Sequence, residues 1–278
     1  MKPADNHVHT EWSWDTSLEA SMERSCERAV SLGIPSIAFT EHVDFTVWSA
    51  GDPGGDSGGG TDLRLPRRGH IEPLDVEGYL ASVERCRAKF PDLRIRTGIE
   101  AGEAHLFAGS VAGVLASAGF ERVLGSLHAI PDGGRLAWVD MLYDSYDPPE
   151  VFRRYCAELL RLIDGSDAFE VLAHVDYPRR SWPYYSYRDF READFEAEYR
   201  AVFRALAGSG RVLEINTRSP LPSPDLLTWW REEGGGAVSF GSDAHQAYRV
   251  GARFERAVAI AEAAGFRPGR DRLDFWRR

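Results

Sequence analysis

Regular alternation of short apolar runs with amphipathic stretches predicts an α/β protein, folded as one barrel-like domain over residues 1–278. Three observations carry the prediction. Seven strand-like runs are each followed by a helix-like stretch, the pattern of parallel strands joined by crossover helices. No shift of composition divides the chain, which favours a TIM-like barrel over an open sheet split in two. Histidines and carboxylates also gather at the C-terminal ends of the runs, the rim where barrel enzymes carry their sites.

The elements follow in order. The first run, residues 6–10, leads to a helix over 18–32, with Asp15-Thr16-Ser17 as its expected N-terminal cap and Gly33 as its stop. The second run is 36–40. Residues 44–75 then break the rhythm with Gly54-Gly55 and Gly58-Gly59-Gly60, a glycine-rich insertion long enough to be an active-site cover or a flexible loop. A helix over 76–90 precedes the run 94–100, and a helix over 106–118 precedes the run 122–128. Proline in the first turn marks the next helix, 149–163, before the run 169–174. A helix over 193–207, the run 212–216, a helix over 224–233 opened by Ser223-Pro224, the run 237–242 and a helix over 252–264 complete the series.

Bulk composition narrows the function classes. A formal charge of −10 argues against non-specific binding to a nucleic-acid backbone, which needs a basic surface. Cys26, Cys86 and Cys156 are widely spaced and odd in number, so they form no disulfide framework, and a reducing cytoplasm is the expected compartment. No apolar stretch is long enough for a signal region or a membrane span.

The histidines carry the chemistry. Alternate side chains of a strand share a face, so His7 and His9 point together and can hold one metal. Asp243 and His245 repeat that spacing at the last run, which neighbours the first in a closed barrel. Glu100 ends the third run and, with two oxygens, can bridge two cations. Asp15, His42, His128 and His174 occupy other ends on the same rim. Taken singly, Glu100 reads as a solvated carboxylate, Asp15 as a cap, and His128 and His174 as hydrogen-bonded core histidines. Jointly they read as a polynuclear centre of the mixed imidazole–carboxylate kind that zinc, manganese or iron accepts. His70, in the glycine-rich loop, and His105, at a helix start, are expected to be non-ligands.

Asn6-His7-Val8-His9-Thr10 with Asp15, Thr40-Glu41-His42, Gly98-Ile99-Glu100, Gly125-Ser126-Leu127-His128, Ala173-His174-Val175-Asp176, Leu213-Glu214-Ile215-Asn216-Thr217 and Gly241-Ser242-Asp243-Ala244-His245 together resemble the polymerase and histidinol phosphatase (PHP) family, within it the stand-alone histidinol-phosphate phosphatases. The resemblance implies a distorted seven-stranded βα barrel with three divalent metal ions. It places the first on His7, His9, Glu100 and Asp243, the second on Glu100, His128 and His174, and the third on Asp15, His42 and His245. The implied reaction is hydrolysis of a phosphate monoester, a small phosphorylated substrate, by a metal-activated hydroxide. Histidinol phosphate, and so histidine biosynthesis, is the first expectation; another small phosphate, a nucleotide or an oligonucleotide end is the alternative, and a non-catalytic metal-binding protein ranks behind both. Arg179, Arg180 and Arg218 are the candidate phosphate clamps, with Arg249 behind them, because a guanidinium matches phosphate oxygens as a fork. Glu41 and Asp176 are expected to orient ligand imidazoles. The sequence departs from the family at Ala101-Gly102-Glu103-Ala104-His105, at Ala129-Ile130-Pro131 after His128, and at Thr217-Arg218-Ser219-Pro220.

Overall fold

In the computed structural model, which describes residues 2–17, 19–50, 73–269, 271, 273 and 275–278, the strand-like runs line up as one curled sheet. Its strands are β1 (Asp5–Val8), β2 (Ser36–Val43), β3 (Arg94–Gly102), β4 (Arg122–Ser126), β7 (Val171–Leu172), β8 (Val212–Asn216), β9 (Ala237–Gly241) and β10 (Trp276–Arg277), hydrogen-bonded in that order. All pair parallel except β10, which runs antiparallel to β9. A separate hairpin, β5 (Ala129–Asp132) with β6 (Arg135–Trp138), stands beyond the end of β4.

The helices are α1 (Met22–Leu32), α2 (Phe45–Ala50), α3 (Val76–Lys89), α4 (Ala108–Ser117), α5 (Pro148–Gly165), α6 (Glu196–Gly208), α7 (Pro224–Glu232) and α8 (Phe254–Ala263). Their apolar faces and the outward face of the sheet make the main core, in which Tyr79, Phe152, Tyr199 and Trp230 are fully buried. Leu124, Val171, Ala173, Val212 and Ala237 form a smaller cluster with Phe275 from the segment before β10.

Three expectations need correction. The sheet has eight strands rather than seven, because the C-terminal residues add β10, whose two residues are too short to show a period. The first helix starts later than expected: Ser21 caps it by accepting from the N–H of Arg24, while Thr16 Oγ1 donates to the carbonyls of Thr10 and Ser13. The fifth parallel run is only Val171–Leu172, because His174 takes a positive φ of 25° that takes it out of extended backbone. The expected cover over 44–75 is helical at α2; its remainder from 51 to 72 lies outside the described residues, as does His70.

Closure of the sheet is confined to one rim. Asp243 N–H donates to the carbonyl of His7 at 2.7 Å, and His9 N–H donates to that of Ala244 at 2.9 Å. At the other rim β10 takes the free edge of β9, pairing Trp276 with Val238 and Arg277 with Ala237. Asp5 straps the closed rim: its carboxylate accepts from the N–H of Ser242 and of Gly251, each at 2.9 Å, and is fully buried. Asp5→Ala strands both N–H groups, at about 1–3 kcal/mol each. Urea unfolding is therefore expected to show a loss of roughly 3 kcal/mol; a loss within 0.5 kcal/mol would mean the rim closes without the strap.

Candidate metal centre

The two histidines of the first strand are oriented by acceptors behind them. His7 Nδ1 lies 2.7 Å from Glu214 Oε1, so Nδ1 carries the proton and Nε2 faces inward with its lone pair. His9 Nδ1 lies 3.0 Å from Ser13 Oγ, whose own proton goes to Glu41 Oε2 at 2.6 Å. That hydroxyl can only accept from the imidazole, which again leaves Nε2 as the inward donor to a metal. The two Nε2 atoms are 3.0 Å apart. Glu100 Oε2 lies 3.4 Å and 3.3 Å from them, and Asp243 Oδ1 lies 4.0 Å and 3.7 Å away. Ligands about 2.1 Å from a common tetrahedral cation stand roughly 3.4 Å apart, so the four atoms fit a single ion.

Glu100 turns its other oxygen to a second group. Oε1 is 2.7 Å from His174 Nε2 and 3.4 Å from His128 Nε2, while His42 Nδ1 stands 3.2 Å from Oε2. Asp15 completes a third group, 3.5 Å from His42 Nε2 through Oδ1 and 2.8 Å from His245 Nε2 through Oδ2. Nitrogens of His9, His42 and His245 converge within 4.8 Å, as do donor atoms of His42, Glu100 and His128. All nine sequence-selected residues thus form one connected cluster, of which Asp15, His42, Glu100, His128, Asp243 and His245 line a depression. Two of the nine, His174 and Asp243 (φ 25° and 50°), sit in the left-handed region, at about 1–3 kcal/mol each, just past their strands.

The field inside favours cations. Burial opposes the charged form of His7, yet Glu214, Glu100 and Asp243 hold its pKa well above the ordinary value. His42 and His128 are likewise raised against burial, by Asp15 and Asp44 and by Asp44 and Glu100 respectively. His9 falls well below its usual value through burial and the neighbouring His42 and His245. Glu100 and Asp243 stay well below theirs despite burial, held by His7 and His128 and by Arg180 and His7. The carboxylates that raise these imidazoles also favour a divalent cation, for which a proton would compete.

Sequence reading missed the groups beneath the ligands. Asp44 stands 3.2 Å from His42 Nδ1 and 3.4 Å from His128 Nδ1, and accepts from Trp14 Nε1 at 2.9 Å. Its signal was the alternate spacing from His42. Glu103 accepts from the N–H of His128 at 2.7 Å and of Ala129 at 2.9 Å. A Cβ at residue 102 would come 2.1 Å from Asp44 Oδ1, so Ala101-Gly102-Glu103, a departure from the family, packs against the ligand supports. Glu214 also accepts from the N–H of His174 at 2.8 Å and from Asn216 Nδ2 at 3.0 Å. Of the two expected orienting carboxylates, Glu41 reaches His9 only through Ser13, and burial lifts it to about 7. Asp176 lies 3.5 Å from Arg179 and has no imidazole partner among the described residues. His105 is 2.7 Å from Glu158 on α5, a pair buried away from the depression.

The depression opens through an inner chamber of about 90 Å³, lined by Trp14, Trp138, Tyr177, Arg180 and Arg218 besides the ligand cluster, into an outer one of about 870 Å³. Arg180 bonds Ser219 Oγ at 2.6 Å, Asn216 Oδ1 at 3.1 Å and Asp243. Arg218 Nη1 is 3.1 Å from Asp243 Oδ1 and 2.8 Å from His245 Nδ1. Arg179 does not share this wall: its guanidinium bonds Glu192 at 2.9 Å and stacks on Phe190, so it braces the loop behind the site. Arg249 reaches only the outer chamber.

The sequence pattern of the PHP domain matches residues 5–218. The chain belongs to the PHP domain family. A histidinol-phosphatase from Lactococcus lactis subsp. lactis is 29% identical over 286 residues, spanning 96% of this PHP chain and 93% of that protein. The crystal structure of histidinol phosphate phosphatase from the same organism, complexed with zinc, L-histidinol and phosphate, superposes with a TM-score of 0.77 at 26% identity, covering 96% of this chain and 95% of that one. A chain from Listeria monocytogenes shares the fold, with a TM-score of 0.73 at 17% identity over 91% of this chain and 99% of its own.

Removing the acceptor behind His7 provides a test of this arrangement. Glu214→Ala frees the imidazole to rotate, and metal affinity, read by competition with a chromogenic chelator, is expected to fall roughly ten- to a hundredfold. Unchanged affinity would show that Glu214 plays no part in orienting the donor.

Proposed function

We propose that this PHP domain is a metal-dependent phosphatase that converts histidinol phosphate into histidinol and phosphate, with three divalent ions held by nine side chains. His7, His9, Glu100 and Asp243 would hold one ion, Glu100, His128 and His174 a second, and Asp15, His42 and His245 a third. Bound divalent cations supply Lewis acidity and a water that ionises near neutral pH. The donor set suits zinc, manganese or iron alike. Glu100 is the observation that carries the reading, a buried carboxylate with one oxygen facing each of two imidazole groups.

The chain's own groups receive the phosphate. Arg180 spends Nε and Nη2 on Ser219, Asn216 and Asp243, which leaves Nη1 for an anion. Arg218 spends Nη1 and leaves Nε and Nη2. Asn216 fixes both, accepting from Arg180 Nη2 and from the N–H of Arg218 at 3.0 Å. Two guanidiniums beside the imidazole–carboxylate cluster therefore offset charge on the phosphoryl oxygens and orient the ester. Trp14, Trp138 and Tyr177 narrow the inner chamber and exclude water around it. The Lactococcus protein's zinc, L-histidinol and phosphate support this choice of substrate. No helix among the described residues is long and apolar enough to cross a membrane.

Phosphate release from histidinol phosphate, beside a nucleotide panel and with metal content measured on the same samples, tests the proposal. Histidinol phosphate is expected to be the preferred substrate, and a chelator to abolish turnover reversibly. His9→Ala and Asp243→Ala should each lower kcat roughly a hundredfold or more, on the scale of losing one electrostatic group at a reacting centre, with less metal bound and the fold retained by circular dichroism. Full turnover in either folded variant, or preference for a nucleotide, would contradict it.

A further inference from the structure

The loop that carries Arg218, Thr217-Arg218-Ser219-Pro220, is one of the places where the chain departs from its family, so what fixes it belongs to this chain. Side-chain bonds alone hold Arg218 weakly. It is 41% exposed, and its Nη1 leans on Asp243 Oδ1 and His245, both proposed metal ligands whose donor atoms a bound cation would claim. Its place in the chamber then depends on the backbone to either side.

That backbone is accounted for group by group. The N–H of Thr217 donates to the carbonyl of Gly241 at 2.8 Å. Those of Arg218 and Ser219 donate to Asn216 Oδ1 at 3.0 Å and 3.1 Å. The carbonyls of Thr217 and Ser219, both buried residues, take their bonds from one atom outside the loop, Arg253 Nη1, at 2.8 Å and 3.0 Å. A return bond closes the staple: Thr217 Oγ1 donates to the carbonyl of Ala252 at 2.7 Å.

The segment that supplies the staple is itself tied to the rim, since the N–H of Gly251 donates to Asp5. Gly251 and Arg253 both have left-handed backbone, φ 66° and 62°. Glycine adopts it readily; an arginine does so only where its surroundings over-determine it. Arg253 has no ion pair among the described residues, and it lines a recess of about 680 Å³ with Arg180 and Arg218. An arginine with disfavoured backbone and no carboxylate partner, donating to two carbonyls, is placed for those carbonyls.

We propose that Arg253 is a positioning residue for phosphate binding: by holding the carbonyls on both sides of Arg218, it sets that guanidinium's free Nε and Nη2 against the phosphoryl group. It acts through Arg218 and bonds none of the metal ligands. This rests on the phosphatase reading and deepens it, because the loop it holds is the half of the clamp peculiar to this chain.

Arg253→Gly tests the proposal at a position whose backbone suits glycine. Arg253→Asn, which also tolerates left-handed backbone and is too short to reach the loop, replaces it if the glycine variant does not fold. Arg253→Lys is the conservative variant, and Arg256→Ala controls for loss of a nearby surface charge. One readout is the Kd of inorganic phosphate for metal-loaded protein by calorimetry, which needs no turnover. The other is KM and kcat for histidinol phosphate and p-nitrophenyl phosphate, with metal content measured throughout. Deleting the side chain is expected to weaken phosphate about tenfold and raise KM for both esters by a similar factor, with kcat within about threefold and metal content unchanged. Arg253→Lys should recover to within about threefold of wild type, and Arg256→Ala should stay within about twofold. In an Arg218→Ala background the effect of Arg253→Gly should shrink to within about twofold, since residues acting through one contact are not additive. A Kd within about twofold of wild type, or a tenfold loss that persists without Arg218, would overturn the proposal. If wild type binds phosphate and cleaves p-nitrophenyl phosphate but not histidinol phosphate, only the substrate reading fails, and the same Kd values still decide on Arg253. Wild type that binds no phosphate would overturn both.

Discussion

Two backbone hydrogen bonds hold together what the chain separates by more than two hundred residues: Asp243 N–H to His7 carbonyl, and Ala244 carbonyl to His9 N–H. They fix the first and last parallel strands in register only at the rim where the imidazoles face one another. The other rim is left to β10, so the sheet closes where ligands are needed. Gly241 shows how tight that closure is. A Cβ there would come 2.0 Å from Glu214 Oε1 and 2.6 Å from His7 Cβ, so the acceptor behind His7 occupies the glycine's own space.

Packing so many titratable groups into a dry rim is costly unless they neutralise one another. The charges alternate from group to group: Glu214 behind His7, Glu100 between the imidazole sets, Asp44 beneath His42 and His128, Arg180 against Asp243. Arg218 and then Asp15 are the most exposed members of the cluster, and both border the opening. Affinity for cations within and for anions at the mouth follows from that ordering, and a phosphate ester matches it end to end.

Much of this was legible in the sequence because strand periodicity and ligand chemistry speak together. His7 and His9 share a face by the two-residue repeat, and each other candidate ends a run or stands in the loop just after one, so the rim could be read before any fold was seen. The boundaries were less legible. Residues 169–174 look extended, but His174 has left extended backbone with φ 25°, which apolar patterning cannot register. Asp15-Thr16-Ser17 has cap chemistry, yet Asp15 is turned to His42 and His245 instead. Arg179 and Arg180 are neighbours of one residue type, and only the fold separates the one held by Glu192 from the one beside Asp243. Glu214 and Glu103 escaped because a carboxylate that supports a residue of a separate strand leaves no spacing rule, and Asp44 left only its two-residue spacing from His42.

Anomalous diffraction from crystals of the metal-loaded protein, recorded on both sides of the absorption edge of the bound element, shows whether the imidazole–carboxylate rim gathers the ions. Peaks are expected on either side of the Glu100 carboxylate, each about 2.0–2.2 Å from imidazole nitrogens, as divalent zinc or its neighbours require. Peaks elsewhere in the molecule, or none beside Glu100 in protein that analysis shows to be loaded, would contradict it.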